Sequence, residues 1–362
     1  MITSNRLSVR QLDPAMNPLP RYVRILTIAL AMLLSGNGFA ASHNDQVVNL
    51  YSLRQPFLIA PMLAAFTEAT GIKVNVVYAK QGILERIKAE GRNTAADAVL
   101  SVDIGRLNAM VAAGVLQGIQ SDAIDANIPP QYRHPDGLWF GLTTRARVFF
   151  VSKDRVGEDE FLTYESLAEP YAKGRICIRS GKNVYNVSLI AAMIAHHGEA
   201  WTRDWLKNVK ANLARRPQGN DRAQAKAIYE GVCDVGVANT YYYGKMQTNE
   251  KKPEQKQWAD AIRIVFPNHD GRGTHVNVSG IGVTQYAKNR DNAIRLIEFL
   301  SGAQAQRRYA ADNFEYPVKP GVASDARVRS WGRLNPDAVD LAYVATLRTA
   351  ASKLVDEVRF DR

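Results

Sequence analysis

The 362-residue chain carries 46 lysines and arginines against 35 aspartates and glutamates, a formal net charge of +11, and 46% of its residues are hydrophobic. Its two cysteines, Cys177 and Cys233, exclude a disulfide-framework scaffold and a cysteine-built metal cluster. The basic residues are scattered, Lys251-Lys252 being an isolated pair without interleaved aromatics, so the excess reads as a solvated surface biased towards anionic ligands or membranes, not as a nucleic-acid patch.

In chain order, the first signal is at the N-terminus. Arg21 and Arg24 precede the apolar run 25–34, which ends in Ser35-Gly36-Asn37-Gly38-Phe39-Ala40. A charged stretch, a short apolar stretch and small residues before Ala40 make residues 1–41 an export signal cleaved near Ala40. The run is shorter than the roughly 20 apolar residues that span a bilayer; an N-terminal anchor is the alternative. Residues 1–41 hold four arginines and one aspartate, so their removal lowers the formal charge from +11 to +8. Export makes nucleic acid a poor partner, and it permits a disulfide between the two cysteines, although spacing does not say whether they meet. No second long apolar run follows, so the mature chain is expected to be soluble. Residues 42–362 exceed the usual limit of one core, and two lobes are expected.

The pattern then predicts a strand at 47–51, a helix at 57–70 closed by Gly71, a strand at 73–78, a helix at 84–90, a strand at 98–101 and a helix at 104–113. Strand and helix alternating at this spacing imply a mostly parallel sheet covered on both faces. Ligands bind at the carboxyl ends of such strands, where 51–55 and 101–103 would lie. A second α/β set follows, with strands at 148–151, 176–179 and 235–238 and helices at 187–197, 201–213 and 222–230. Trp201, Trp205 and Val209 share one face of the second of these helices. A long strand at 275–284 and helices at 292–300 and 303–311 return the chain to its first lobe. The expectation is an α/β protein of two lobes joined by crossing strands, with the ligand in the cleft between them.

One local feature carries chemistry. Asn239-Thr240-Tyr241-Tyr242-Tyr243-Gly244 follows the strand at 235–238, and Tyr185 follows the strand at 176–179 and opens the next helix. Both strand ends aim phenols at one cleft. A phenolate oxygen is a hard anionic donor that suits a hard trivalent cation such as Fe(III). Free tyrosine loses its proton near pH 10, so such binding would release protons and weaken in acid. From the residues alone, an aromatic packing cluster or a stacking platform for sugar or peptide is the favoured reading of Tyr241, Tyr242 and Tyr243.

Several segments, taken in order, resemble the ferric-binding proteins of bacterial iron importers, a branch of the periplasmic binding proteins. They include Asn49-Leu50-Tyr51-Ser52-Leu53-Arg54, Asp97-Ala98-Val99-Leu100-Ser101-Val102-Asp103, Pro217-Gln218-Gly219-Asn220-Asp221 and Gly271-Arg272-Gly273-Thr274-His275-Val276-Asn277. The resemblance is to the cyanobacterial-type group and covers residues 46–320. It implies a two-lobed, type II-like periplasmic binding protein, with a first lobe of 42–145 plus 268–318 and a second of 146–267 plus 319–362. It also implies that Tyr185, Tyr241 and Tyr242 ligate Fe(III), that Arg145 holds a synergistic carbonate, and that a monomeric periplasmic protein delivers the iron to an inner-membrane ABC permease and its ATPase. A guanidinium fork suits a planar oxyanion; the alternative for Arg145 is a structural ion pair at the crossover.

The sequence departs from the family at one place. Where relatives carry a His-Tyr pair after the first strand, this chain reads Gln55-Pro56-Phe57. Gln55, Tyr51 and Tyr243 are the substitute candidates. His275 reads as structural, His196-His197 as surface, and Asp103 as a contact for solvent or a nearby arginine. The competing function is a binding protein for a small anion, such as a phosphonate or sulfonate, without metal. An enzyme is disfavoured, because neither Gly-x-Ser-x-Gly nor His-Glu-x-x-His occurs.

Overall fold

A computed structural model describes residues 46–362; the export signal inferred over 1–41 lies outside the described residues. The first elements are β1 (Val47–Ser52), α1 (Pro56–Thr70), β2 (Lys73–Tyr78), α2 (Ile83–Glu90), β3 (Ala98–Ser101) and α3 (Ile104–Ala112). β1 lies between β2 and β3 and runs parallel to both, with Ser52 opposite Tyr78 on one side and Leu100 on the other. Their carboxyl ends therefore share one edge. Val48 and Leu50 of β1 pack with Ile59 and Phe66, whereas Tyr51 packs with Ile83 and Ile87 on the opposite face. This two-sided burial is what a parallel strand needs. Gly71 ends α1 at a φ of 74°, a conformation that costs glycine nothing.

The chain continues through β4 (Leu116–Gln117) and α4 (Asp122–Asn127) into β5 (Phe140–Ser152), all 13 residues of which are buried. Next come β6 (Ile176–Cys177), α5 (Val184–Ala211), α6 (Asp221–Tyr229), β7 (Val235–Asn239), α7 (Thr240–Gln247), α8 (Glu254–Asp260) and β8 (Ile262–Val265). The last elements are β9 (Val276–Thr284), α9 (Arg290–Ser301), α10 (Ala303–Asn313), β10 (Tyr316–Pro317), α11 (Ala326–Ser330), α12 (Leu341–Thr346) and α13 (Arg348–Glu357).

The principal strand order is β2-β1-β3-β9-β5-β7-β6. β5 is the crossing strand: residues 140–146 pair with β9, and residues 147–151 with β7. The sheet is thus mixed, not mostly parallel, because β5 and β9 run antiparallel to each other and to the strands beside them. One core gathers Leu50, Phe66, Phe140, Ile281, Leu296 and Tyr309. In the second lobe, β5 is buried from both sides. Phe149 and Val151 meet Leu189, Trp205, Leu354 and Phe360, while Val148 and Phe150 meet Ile228, Met246 and Ile262.

Three local expectations change. The strand at 176–179 stops at Cys177, since the Ile178 carbonyl accepts from the Gln218 amide at 3.1 Å instead of continuing a ladder. The helices at 187–197 and 201–213 form one span broken at Gly198, whose φ of 79° and ψ of 167° interrupt the helical hydrogen bonds. Trp201 is 39% exposed and stacks on His197 with ring centroids 4.0 Å apart, while Trp205 and Val209 take the buried face. Cys177 and Cys233 are joined in a disulfide with Cα atoms 5.9 Å apart. Among the described residues, no helix is long and apolar enough to cross a membrane.

Candidate metal centre

The second-lobe wall of the cleft is set by a buried carboxylate. Asp221, at the start of α6, accepts from Arg147 Nη1 of β5 at 2.8 Å, from Arg179 Nη1 at 2.9 Å and from the Asn239 amide at 2.8 Å. It is wholly buried, and it fixes the end of β7 where α7 begins. Tyr241 and Tyr242 then lie in the first turn of α7, with ring centroids 4.4 Å apart. Asn183 caps α5 by accepting from the Tyr185 amide at 3.0 Å, which orients the opening of that helix. Tyr241 Oη donates to Tyr185 Oη at 3.4 Å. Two oxygens each about 2 Å from one cation sit about 3–4 Å apart, so this pair is spaced to share an ion. All three phenols line a cavity of about 450 Å³.

Burial dominates the acid–base behaviour of this wall. It pushes Tyr242 up to about 12, with the Asp221 charge and then Tyr185 adding to the effect. Burial, and next the neighbouring Tyr185 and Tyr242, hold Tyr241 well above the ordinary tyrosine value. At neutral pH both are neutral phenols, and a cation must displace their protons to bind. Among the described residues no three His, Cys, Asp or Glu side chains converge on a metal position; this phenol group is the cluster of hard oxygen donors on the second-lobe wall, with Tyr78 and the Glu315 carboxylate also lining the cavity.

The same cavity is rich in cations. Arg54, Lys80, Arg106, Arg145, Arg179, Arg222 and Lys245 line it, against one carboxylate, Glu315. Glu315 is taken by Arg54 at 2.5 Å, and Arg179 is held by Asp221. Arg106, Arg145 and Arg222 make no ion pair among the described residues; Arg222 lies over the Tyr242 ring at 5.1 Å. Arg145 is 2% exposed, gives Nη2 to the Val102 carbonyl, and keeps a buried Nη1 without a partner. An orphaned buried donor costs about 1–3 kcal/mol, and an oxyanion in the cavity would satisfy it.

The first-lobe wall is made by Leu53, Arg54, Gln55, Phe57, Leu58, Tyr78 and Val102, with Ser279 and Glu315. Gln55 reaches the cavity. Tyr51 and Tyr243 do not: Tyr51 Oη donates to Glu90 at 2.9 Å, and Tyr243 Oη donates to the Ile262 carbonyl at 3.3 Å amid Phe150 and Trp331. Both point away because the period of their strand or helix turns them into a core. His275 is buried, with Nε2 3.2 Å from Ser188 Oγ, and burial beside Arg145 and Arg147 drives it down to about 3, so it is a neutral structural residue. His196 is exposed, as expected, and lies 2.7 Å from Asp337, while His197 is half-buried 2.7 Å from Glu165. Asp103 is buried against Arg348 at 3.2 Å. Sequence reasoning missed Tyr78, Arg179, Arg222 and Lys245. Tyr78 ends β2 on the edge already identified as the ligand side, and extending that rule to all three parallel strands would have found it. A larger cavity of about 640 Å³ beside Asp125 and Asp136 holds none of the candidate residues.

A family model described as bacterial extracellular solute-binding protein matches residues 61–336. "Iron uptake protein A1" of Synechocystis sp. is 45% identical over 314 residues, 86% of this chain and 87% of that protein. The crystal structure of the Pasteurella haemolytica apo ferric ion-binding protein A is 51% identical, with a TM-score of 0.84 over 88% of this chain and 99% of that one. The Trichodesmium protein IdiA (FutA), in complex with iron and citrate ligands, is 42% identical with a TM-score of 0.82, over 86% of this chain and 99% of its own. These neighbours share the two-lobed α/β fold.

Proposed function

The chain belongs to the bacterial extracellular solute-binding protein family, and from that premise we propose that it captures Fe(III) in the cleft between its lobes for an ABC-type iron importer. Its role is binding and delivery, not catalysis. Tyr185, Tyr241 and Tyr242 would supply three phenolates that neutralise the trivalent charge. Arg145 would hold a carbonate-class oxyanion against the metal, with Gln55 at the first-lobe edge of the same cavity. The protein works as a monomer in the periplasm, exported by the segment 1–41, and passes its cargo to an inner-membrane permease and ATPase. The lobes divide as 42–145 plus 268–318 and 146–267 plus 319–362. The observation that carries this reading is the Tyr185–Tyr241 oxygen separation of 3.4 Å, with the Tyr242 ring tilted against Tyr241 in a cavity lined by cations.

The surplus of cations also favours a second reading, a small-anion binder without metal. That reading gives the three phenols no work. A visible titration of the mature protein with Fe(III), with and without bicarbonate, separates the two. Phenolate ligation gives a charge-transfer band that bicarbonate strengthens. Absence of any band, together with calorimetric binding of a phosphonate or sulfonate alone, would establish the rival.

A further inference from the structure

Asp103 is fully buried, and three parts of the fold converge on its carboxylate. It caps α3 by accepting from the Arg106 amide at 3.2 Å. Asn277 of β9 donates to it at 2.8 Å, and Arg348, which opens α13, lies 3.2 Å away. Each contact leads on to the cleft. Asn277 sits opposite Arg145 in the β5–β9 ladder and also donates to Ser188 of α5 at 2.7 Å, three residues past Tyr185. The same Nη1 of Arg348 reaches the carbonyl of Val184, the residue before Tyr185, at 3.4 Å. On the other side, Val102, the residue before Asp103, gives its carbonyl to Arg145.

The surroundings are shaped for this contact. A Cβ at Gly105 would fall 2.1 Å from the Arg348 side chain, so a glycine in the first turn of α3 makes room for it. The C-terminal segment grips the loop before Tyr185 as well: Asp361 accepts from Ser180 Oγ at 2.6 Å and from the Gly181 amide at 2.7 Å. Towards the first lobe, Leu341 packs with Ile104, Leu107 and Trp139. Arg348 is thus tied to the helix that presents Tyr185 and to the loop that holds Arg145. Without its guanidinium, the buried Asp103 charge keeps only neutral donors.

We propose that Arg348 is a positioning residue that couples the oxyanion end of the cleft, at Arg145, to the metal end, at Tyr185. Through Asp103 it fixes the Val102 carbonyl relative to the start of α5, so that each ligand raises the affinity for the other. By linkage the enhancement is reciprocal. This rests on the phenolate–oxyanion reading of the cleft.

The test is a visible Fe(III) titration of the mature protein across a series of bicarbonate concentrations. Wild type should bind iron more tightly as bicarbonate rises. Arg348→Gln should keep the band at the same wavelength but lose about tenfold of that enhancement. Arg348→Lys should restore part of it, and Gly105→Ala, which crowds the same side chain without removing charge, should reproduce the loss. Unchanged bicarbonate enhancement in Arg348→Gln and Gly105→Ala overturns the coupling. So does a lowered melting temperature with the enhancement intact, which would make Arg348 merely structural. A wild type that gives no band overturns the phenolate reading itself, and the coupling with it.

Discussion

Tyr241 and Tyr242 are neighbours in sequence, yet the fold buries them unequally, and both end as reluctant acids. With Tyr242 pushed up to about 12 and Tyr241 held well above 10, neither ionises in the apoprotein near neutrality. If these phenols ligate the metal as proposed, each proton must leave when it arrives. Iron affinity should therefore fall as pH falls, by about tenfold per pH unit for each proton displaced. Competition against a chelator of known ferric affinity at pH 6 and pH 8 checks this; a flat profile would mean that phenolates are not the ligands. At this scale the strand ends pointed to Tyr185, Tyr241 and Tyr242, and the family resemblance pointed to Arg145; all four line the cavity. The sequence could not separate Tyr51 from Tyr78. The first is withdrawn by Glu90, 39 residues away in the chain, and no local pattern shows such a contact.

The elements were largely legible because each has a clear period and a clear end. Gly71 closes α1, and Asp103, Asn183 and Asn220 cap α3, α5 and α6 through their own side chains. What stayed hidden was the direction of β5 and β9, because an apolar run looks alike in parallel and antiparallel surroundings. The buried link among β5, β7 and α6 was equally unreadable. Arg147 and Asp221 are 74 residues apart, and their side chains are 2% and 0% exposed. Removing one partner of a buried pair leaves the other charge uncompensated. Asp221→Ala should lower unfolding stability by about 3–5 kcal/mol, with Asp221→Asn costing less. Urea unfolding of the apoprotein measures both, and a loss below about 1 kcal/mol in Asp221→Ala would contradict the assignment. The same variant should bind iron more weakly, since Asp221 also fixes Arg179 and the end of β7.

Across the whole described chain, two cores meet along β5, and the cleft between them carries Tyr185, Tyr241 and Tyr242 on one wall, Tyr78 on the other, and cations on both. On the proposed reading, metal and oxyanion together would satisfy what each wall leaves unmet: the protonated phenols on one side, and the orphaned Arg145 donor on the other. Ligands shared by two lobes should draw them together. Small-angle scattering is expected to show a smaller radius of gyration with Fe(III) and bicarbonate than with either alone, and an unchanged radius would place all ligation in the second lobe. The central claim is tested most directly by the visible spectrum of iron-loaded Tyr185→Phe, Tyr241→Phe and Tyr242→Phe beside wild type. Phenolate ligation predicts a charge-transfer band in wild type that weakens or shifts in each variant, with a loss of iron affinity. Colour and affinity equal to wild type in all three would contradict it.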